Sequence, residues 1–242
     1  MVRDLLRGLS APLRAVRLLA GNARLRKLAV MPFLVNVLVF AIGVPLMIWL
    51  GISLVGDLIP DSGVWQGALR LLLQIVVTLA VLVGSVFGFA IVGNIIAAPF
   101  NSKLSEAVEQ HLTGSVTPNE GIVGDVMRGI ITAIGRLLLF VIFYPPIFAM
   151  QFIPVVGPFL HPVVAVLYGS FVLSLDFSDP TFERHFRRFR PKLGFIWSRK
   201  ALYLGFGLTA VAMAIIPIVN FLLLPVCVTA AAMLYIEEVS GQ

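Results

Sequence analysis

The sequence predicts an all-α integral membrane protein: two long transmembrane helices, two proline-broken, part-penetrating helical hairpins and an amphipathic N-terminal helix. Three observations predict it. Of 242 residues, 59% are hydrophobic and only 12% charged, against about a quarter charged in soluble domains, and mean hydropathy is +1.00. The run from Leu71 to Ser102 holds 32 residues without one Asp, Glu, Lys, Arg or His, so water cannot be its surroundings. The 18 basic residues are clustered, seven between Arg3 and Lys27 and seven between Arg184 and Lys200, each block beside a hydrophobic run. That placement follows the positive-inside rule. A phosphate-tracking surface would interleave its cations with aromatic and polar base readers, so nucleic acid is not an expected partner. The single cysteine, Cys227, excludes an internal disulfide and is read as packing.

Residues 1–27 are read as an interfacial amphipathic helix. Arg3, Arg7, Arg14 and Arg17 fall within about 80° of arc, with Leu5, Leu9, Leu13, Val16 and Leu19 opposite. The arginines leave no apolar core for a cleaved signal peptide. Pro12 is expected to divide the helix, with Ser10 capping the second piece.

Residues 28–56 form the first charge-free run and are assigned to the first long helix, with Gly43 and Pro45 expected to kink it. Arg24, Arg26 and Lys27 stand at its start. A helix N-terminus directs N–H groups and the positive end of its dipole at that cluster, an arrangement that binds oxyanions. The alternative is a topology signal. Residues 57–70 carry Pro60, Gly63 and Trp65 and read as an outward-facing turn.

Residues 71–102 are the second long helix, with Pro99 expected to end it and Ala80, Gly84 and Gly88 making a smooth stripe for close helix approach. Residues 103–136 change pattern. Leu104, Val108 and Leu112 share one face, while Lys103, Glu106, Glu109 and Gln110 lie elsewhere, so a cytoplasmic surface helix is expected. His111 beside Glu106 and Glu109 matches no zinc motif; a solvated face is the simpler reading.

Residues 137–175 contain one titratable group, His161, and their middle reads QFIPVVGPFLHP. Arms of about 17 residues reach about 25 Å, and Pro145 and Pro146 are expected to interrupt the first, so a part-penetrating hairpin turning at Pro154, Gly157 and Pro158 explains the run better than two straight spans. Residues 176–200 are read as a basic cytoplasmic excursion with a solvated His185. Residues 201–236 are again charge-free and broken by IPIVNFLLLP, so a second hairpin turning between Pro217 and Pro225 is expected. Paired broken segments of this kind point to a transport site. Counting crossings from a cytoplasmic N-terminus puts every basic residue except Arg70 inside, with the C-terminus also cytoplasmic.

The block IIAAPFNSKLSEAVEQHLTG resembles the CysZ sulfate permease family and its wider relatives, the etoposide-induced protein 2.4 family. The resemblance continues through RLRKLAVMPFLVN, FIPVVGP, LDFSDP and IPIVNFLLLPVCVTAAAMLY. It implies two long transmembrane helices with two part-penetrating hairpins, homo-oligomeric assembly, and sulfate uptake supplying cysteine synthesis in the bacterial inner membrane. In such proteins a Gly-Leu-Arg-Arg run at the start of the first long helix is associated with sulfate. Here the run is Arg24, Leu25, Arg26, Lys27, with Arg24 in place of the glycine and a lysine point charge in place of the second planar fork.

The expected function is therefore a permease or channel for sulfate or a similar oxyanion, held first by Arg24, Leu25, Arg26 and Lys27. Deeper polar lining would come from Asn36, Asn94, Asn101, Glu106, His161 and Asn220; the alternative for each asparagine is an interhelical hydrogen bond. The alternative function is a non-transporting membrane adaptor or scaffold acting through its basic blocks. No His-Glu-x-x-His, intramembrane Asp pair or nucleophile with a placed His is present, so neither enzyme activity, a metal nor a cofactor is expected.

Overall fold

The computed structural model describes residues 1–58, 63–116 and 122–241, the side chains of 86, 87, 89–97, 122–131, 133, 217, 218 and 221 excepted. The described residues form eight α-helices: α1 (Val2–Gly21), α2 (Ala23–Leu58), α3 (Val64–Thr113), α4 (Ile122–Ala149), α5 (Gly157–His185), α6 (Phe189–Ser198), α7 (Lys200–Ile215) and α8 (Pro217–Ser240). Five segments are long and apolar enough to cross a bilayer: Ala23–Leu58, Val64–Ser85, Ile134–Phe152, Gly157–His185 and Leu222–Ser240. The all-α membrane class is as the composition predicts.

The prolines act otherwise than expected. Pro12, Pro99, Pro145, Pro146 and Pro225 all lie inside continuous helices. A proline keeps a helical φ and removes one N–H, and in an apolar setting neighbouring groups and local adjustment satisfy the freed carbonyl without breaking the helix. Thus α3 does not stop at Pro99 but runs on to Thr113, and Ser10 does not cap a second piece of α1: its hydroxyl donates to Arg7 O at 3.1 Å. Within the two expected hairpins the breaks lie elsewhere. A 3₁₀ turn, Met150–Phe152, and a short link join α4 to α5, with Val155 at φ 67 and Gly157 so close to the carbonyl of Met150 that no Cβ would fit. Ile216 alone joins α7 to α8, with Pro217 at the first helical position, where its missing N–H leaves no lost bond. Both turns are apolar and open: Phe152 is 72% and Ile215 74% exposed.

The chain divides into two compact units, Met1–Ala29 with Asn101–Gln242, and Val30–Phe100. In the smaller, the Ala80/Gly84/Gly88 stripe of α3 faces Phe40, Gly43 and Met47 of α2 across a hollow of ≈ 550 Å³. A Cβ at Gly43 or Gly84 would meet nothing within 4 Å, so close packing there is not realised.

The larger unit holds the core. α1 lies on α7 and α8 through Gly8, Ala11, Pro12, Ala15 and Leu19, whereas Leu13 and Val16, on the side opposite the arginines, are exposed. Two glycines set the α1–α7 distance: a Cβ at Gly8 would strike Leu202 O and one at Gly205 would strike Leu5 O. Thr209 adds a hydroxyl bond to Leu9 O at 3.0 Å. α5 meets α7 through Gly207, whose Cβ would strike Ser170 O, and Ser174 Oγ donates to Tyr203 O at 2.6 Å.

Residues 176–200 are not the surface excursion expected. α5 continues to His185 and buries Asp179 and Arg184; α6 follows and buries Lys192. Lys192 Nζ donates to Asp179 Oδ1 at 2.5 Å and to Thr132 Oγ1 at 2.9 Å, while Arg136 donates to Asp176 at 2.9 Å, tying α4, α5 and α6 together. His185 is half-buried, its ring centroid 4.5 Å from that of Tyr235. A third cluster fastens α1 to the end of α8: Arg7 reaches Glu238 (3.1 Å) and Glu237 (3.2 Å), Arg14 reaches Glu237 (2.5 Å), and Arg199 reaches Glu238 (2.9 Å).

Candidate functional site

The start of α2 is fixed by burial on one side. Leu25, 1% exposed, and Ala29 join a core cluster with Leu104, Ala107 and Val108 of α3. At helical spacing this burial turns Arg24, Lys27 and Leu28 towards a neighbouring face. That face is the stripe Lys103, Glu106, Ala107 and Gln110 on the last turns of α3, at i, i+3, i+4 and i+7. The two enclose an open hollow of ≈ 590 Å³. Its charged lining is Arg24, Lys27 and Lys103 against Glu106, a formal net of two positive charges.

Hydrogen bonds hold parts of this arrangement. Arg24 Nη1 donates to Gln110 Oε1 at 3.2 Å across the hollow. Asn22, between α1 and α2, caps the new helix: its Oδ1 accepts from the N–H groups of Arg24 (3.0 Å) and Leu25 (3.3 Å), and its Nδ2 lies 3.3 Å from His111 Nδ1. The expected role of first-turn N–H groups as anion donors is therefore reduced, because the asparagine oxygen already occupies two of them. What remains to meet an anion is side-chain charge.

The α3 wall is anchored from behind. Glu109, predicted on a solvated face, is only 6% exposed and takes Arg184 Nη2 at 3.0 Å and Nε at 3.2 Å. Arg184 also donates to Ser105 Oγ (2.8 Å) and Pro180 O (2.9 Å), and Ser105 bonds Thr181 Oγ1 at 2.7 Å. His185 Nε2 lies 3.2 Å from the other carboxylate oxygen of Glu109. A buried charge needs such full pairing to be tolerated, and the pairing in turn fixes the register of α3 on α5.

Of the residues named from sequence, Arg24, Lys27 and Glu106 come together here. Leu25 is core packing, and Arg26, though exposed, turns its Nη1 to Ala20 O at 3.2 Å and does not line the hollow. Asn101 and His161 are half-buried, Asn220 is exposed, and none of the three lines it. Asn36 is buried on α2, and the Asn94 side chain falls outside the described residues. Pro154, Gly157 and Pro158 form the α4–α5 turn and Pro217 opens α8, whereas Pro225 is buried within α8. Lys103, Gln110 and Asn22 were missed. The i, i+3, i+4, i+7 spacing of Lys103 to Gln110 was the available signal.

A description of known sequences, sulfate transporter CysZ/etoposide-induced protein 2.4, matches residues 11–225. The chain belongs to that family. The match takes in the second half of α1, both long helices, the first hairpin and α8 up to Pro225, so it covers the cationic hollow and the elements that build it. Membership of the CysZ/etoposide-induced protein 2.4 family, with its five apolar helices, makes this a multi-pass membrane protein of sulfate-transporter type. Among the described residues no group of His, Cys, Asp and Glu is placed to hold a metal.

Proposed function

We propose that this CysZ/etoposide-induced protein 2.4 family member is a permease or channel for sulfate, or an oxyanion of similar charge, in a bacterial inner membrane, where it feeds cysteine synthesis. The observation that carries the reading is the charge of the hollow at the start of α2: Arg24, Lys27 and Lys103 against Glu106 leave two positive charges for a dianion. Arg24 supplies a planar fork and the lysines point charges, and charge-assisted bonds of this kind are the strong ones. The openness of the hollow suits a station on a path, where binding must be weak enough to release. The two apolar hairpins, N- and C-termini cytoplasmic, would complete the path, in an assembly of several copies.

Energetics constrains the mode of transport. Moving two negative charges inward against about 100 mV costs about 4.6 kcal/mol, so a passive pore would equilibrate with inside sulfate more than about a thousandfold below outside. Net uptake then relies on rapid consumption inside or on coupling to another ion.

The test is uptake of labelled sulfate into liposomes carrying the purified protein, with Lys27→Ala and Lys103→Ala alongside. Uptake above empty vesicles that both substitutions reduce supports the permease. Wild-type uptake at the empty-vesicle baseline rejects it and favours the adaptor reading, in which neutralising these residues alters membrane placement without any flux.

A further inference from the structure

Two apolar grooves lie side by side on the larger unit, away from the cationic hollow. The first, ≈ 450 Å³, is walled by Leu5 of α1, Leu167 and Phe171 of α5 and Leu204 of α7. The second, ≈ 540 Å³, is walled by Leu139 and Phe143 of α4, Tyr168 of α5 and Leu193 of α6. Phe171 and Trp197 line both, and so form the partition between them. Lys200 lines the first groove at the point where α7 begins, and it is the only charged side chain lining either.

Three features define the occupant. Hydrocarbon walls exclude a hydrated solute, and a partition between two adjoining grooves fits two chains joined at one end better than one. Lys200 is exposed and has no carboxylate partner among the described residues, whereas its neighbour Arg199 is already paired with Glu238. Trp197, 68% exposed, presents an amphipathic ring beside that cation, as tryptophans do at the level of lipid headgroups. The basic residues Arg187, Arg188 and Arg190 precede it in the chain, and α7 runs from this end into an apolar stretch.

We propose that the paired grooves bind one anionic diacyl phospholipid, with its acyl chains on either side of the Phe171–Trp197 partition and its headgroup phosphate on Lys200. The lipid links α1, α4, α5, α6 and α7 and is a fixed component of the fold, independent of what the protein transports. A second copy of the chain could cover the apolar walls, but such a copy would not prefer one lipid charge over another.

The chain has three tryptophans, so a Trp49→Phe, Trp65→Phe variant leaves Trp197 as the only indole reporter. It is reconstituted into phosphatidylcholine vesicles containing either brominated phosphatidylglycerol or brominated phosphatidylcholine, and quenching is followed against mole fraction. Bromolipid of negative charge is expected to quench at about fivefold lower mole fraction, the factor corresponding to about 1 kcal/mol for one basic residue at an anionic lipid. Lys200→Ala is expected to erase that preference and Lys200→Arg to keep it, both with an unchanged thermal midpoint in neutral lipid. Equal quenching by the two bromolipids overturns the proposal. So does a preference that survives Lys200→Ala, which would assign it to the general field of the basic blocks. Absence of quenching by both, with crosslinking between copies at Trp197, would give the grooves to a protein partner.

Discussion

Arg184 on α5 and Glu109 on α3 form a nearly dry ion pair, with the guanidinium at 3.0 and 3.2 Å from one carboxylate oxygen and both side chains less than a tenth exposed. The pair lies behind the hollow and fixes the register of α3 on α5, and so the position of the α3 wall that carries Lys103 and Gln110. A charge left alone at that depth is far more costly than the pair itself is favourable. Glu109→Ala is therefore expected to destabilise the protein by about 3–5 kcal/mol. Replacing both partners by Gln and Met should recover most of the loss. Thermal unfolding of wild type and the two variants in detergent measures this, and a double variant no better than Glu109→Ala would contradict it.

Within the hollow, Lys27→Ala and Lys103→Ala should each weaken sulfate binding by about tenfold, the lower end of a lost bond to a charged group at about 1.5–3 kcal/mol. Glu106→Gln removes the one opposing charge and should tighten binding. Arg26→Ala should leave it within about twofold, because that guanidinium is directed to Ala20 O. Calorimetric titration with sulfate distinguishes these outcomes, and a loss at Arg26 equal to that at Lys27 would show that the two act together.

The class of fold was legible because hydrophobicity alone dictates it: four nearly charge-free runs leave no other solvent than lipid. Arg24 and Lys27 were legible from their place just ahead of the first charge-free run. The buried charges were not. Asp179, Arg184 and Lys192 sit in a stretch whose composition reads as surface, and only tertiary pairing across α4, α5 and α6 lets them be interior. Prolines misled for a related reason: Pro99 and Pro145 mark breaks in water, yet in apolar surroundings a helix is the one way to satisfy the remaining backbone. Lys103 was placed on the polar side of a separate surface helix and left out of the site, because α3 was expected to end at Pro99.

The glycine contacts of α7 carry a sharper test. A Cβ at Gly205 would strike the carbonyl of Leu5, and one at Gly207 that of Ser170, both backbone atoms of neighbouring helices that cannot rotate away. Gly205→Ala and Gly207→Ala should each destabilise by about 1–3 kcal/mol despite alanine's better helix propensity. Gly194→Ala, whose Cβ would meet nothing, should be neutral or slightly stabilising. Thermal midpoints in detergent rank the three, and a Gly205→Ala variant as stable as wild type would mean that α1 yields by moving off α7.

Asn22 provides the last test, since it separates backbone from side-chain recognition. Its Oδ1 occupies the N–H groups of Arg24 and Leu25, so Asn22→Ala should cost about 1 kcal/mol of stability through loss of the cap. The same substitution uncovers two donors at the positive end of α2, beside a hollow with surplus cationic charge. An anion entering that hollow then gains contacts that wild type withholds. Sulfate should accordingly raise the thermal midpoint of Asn22→Ala by more than it raises that of wild type, while chloride at equal ionic strength should not. Equal sulfate shifts in the two proteins would mean that the anion sits out of reach of the α2 backbone and is held by Arg24, Lys27 and Lys103 side chains alone.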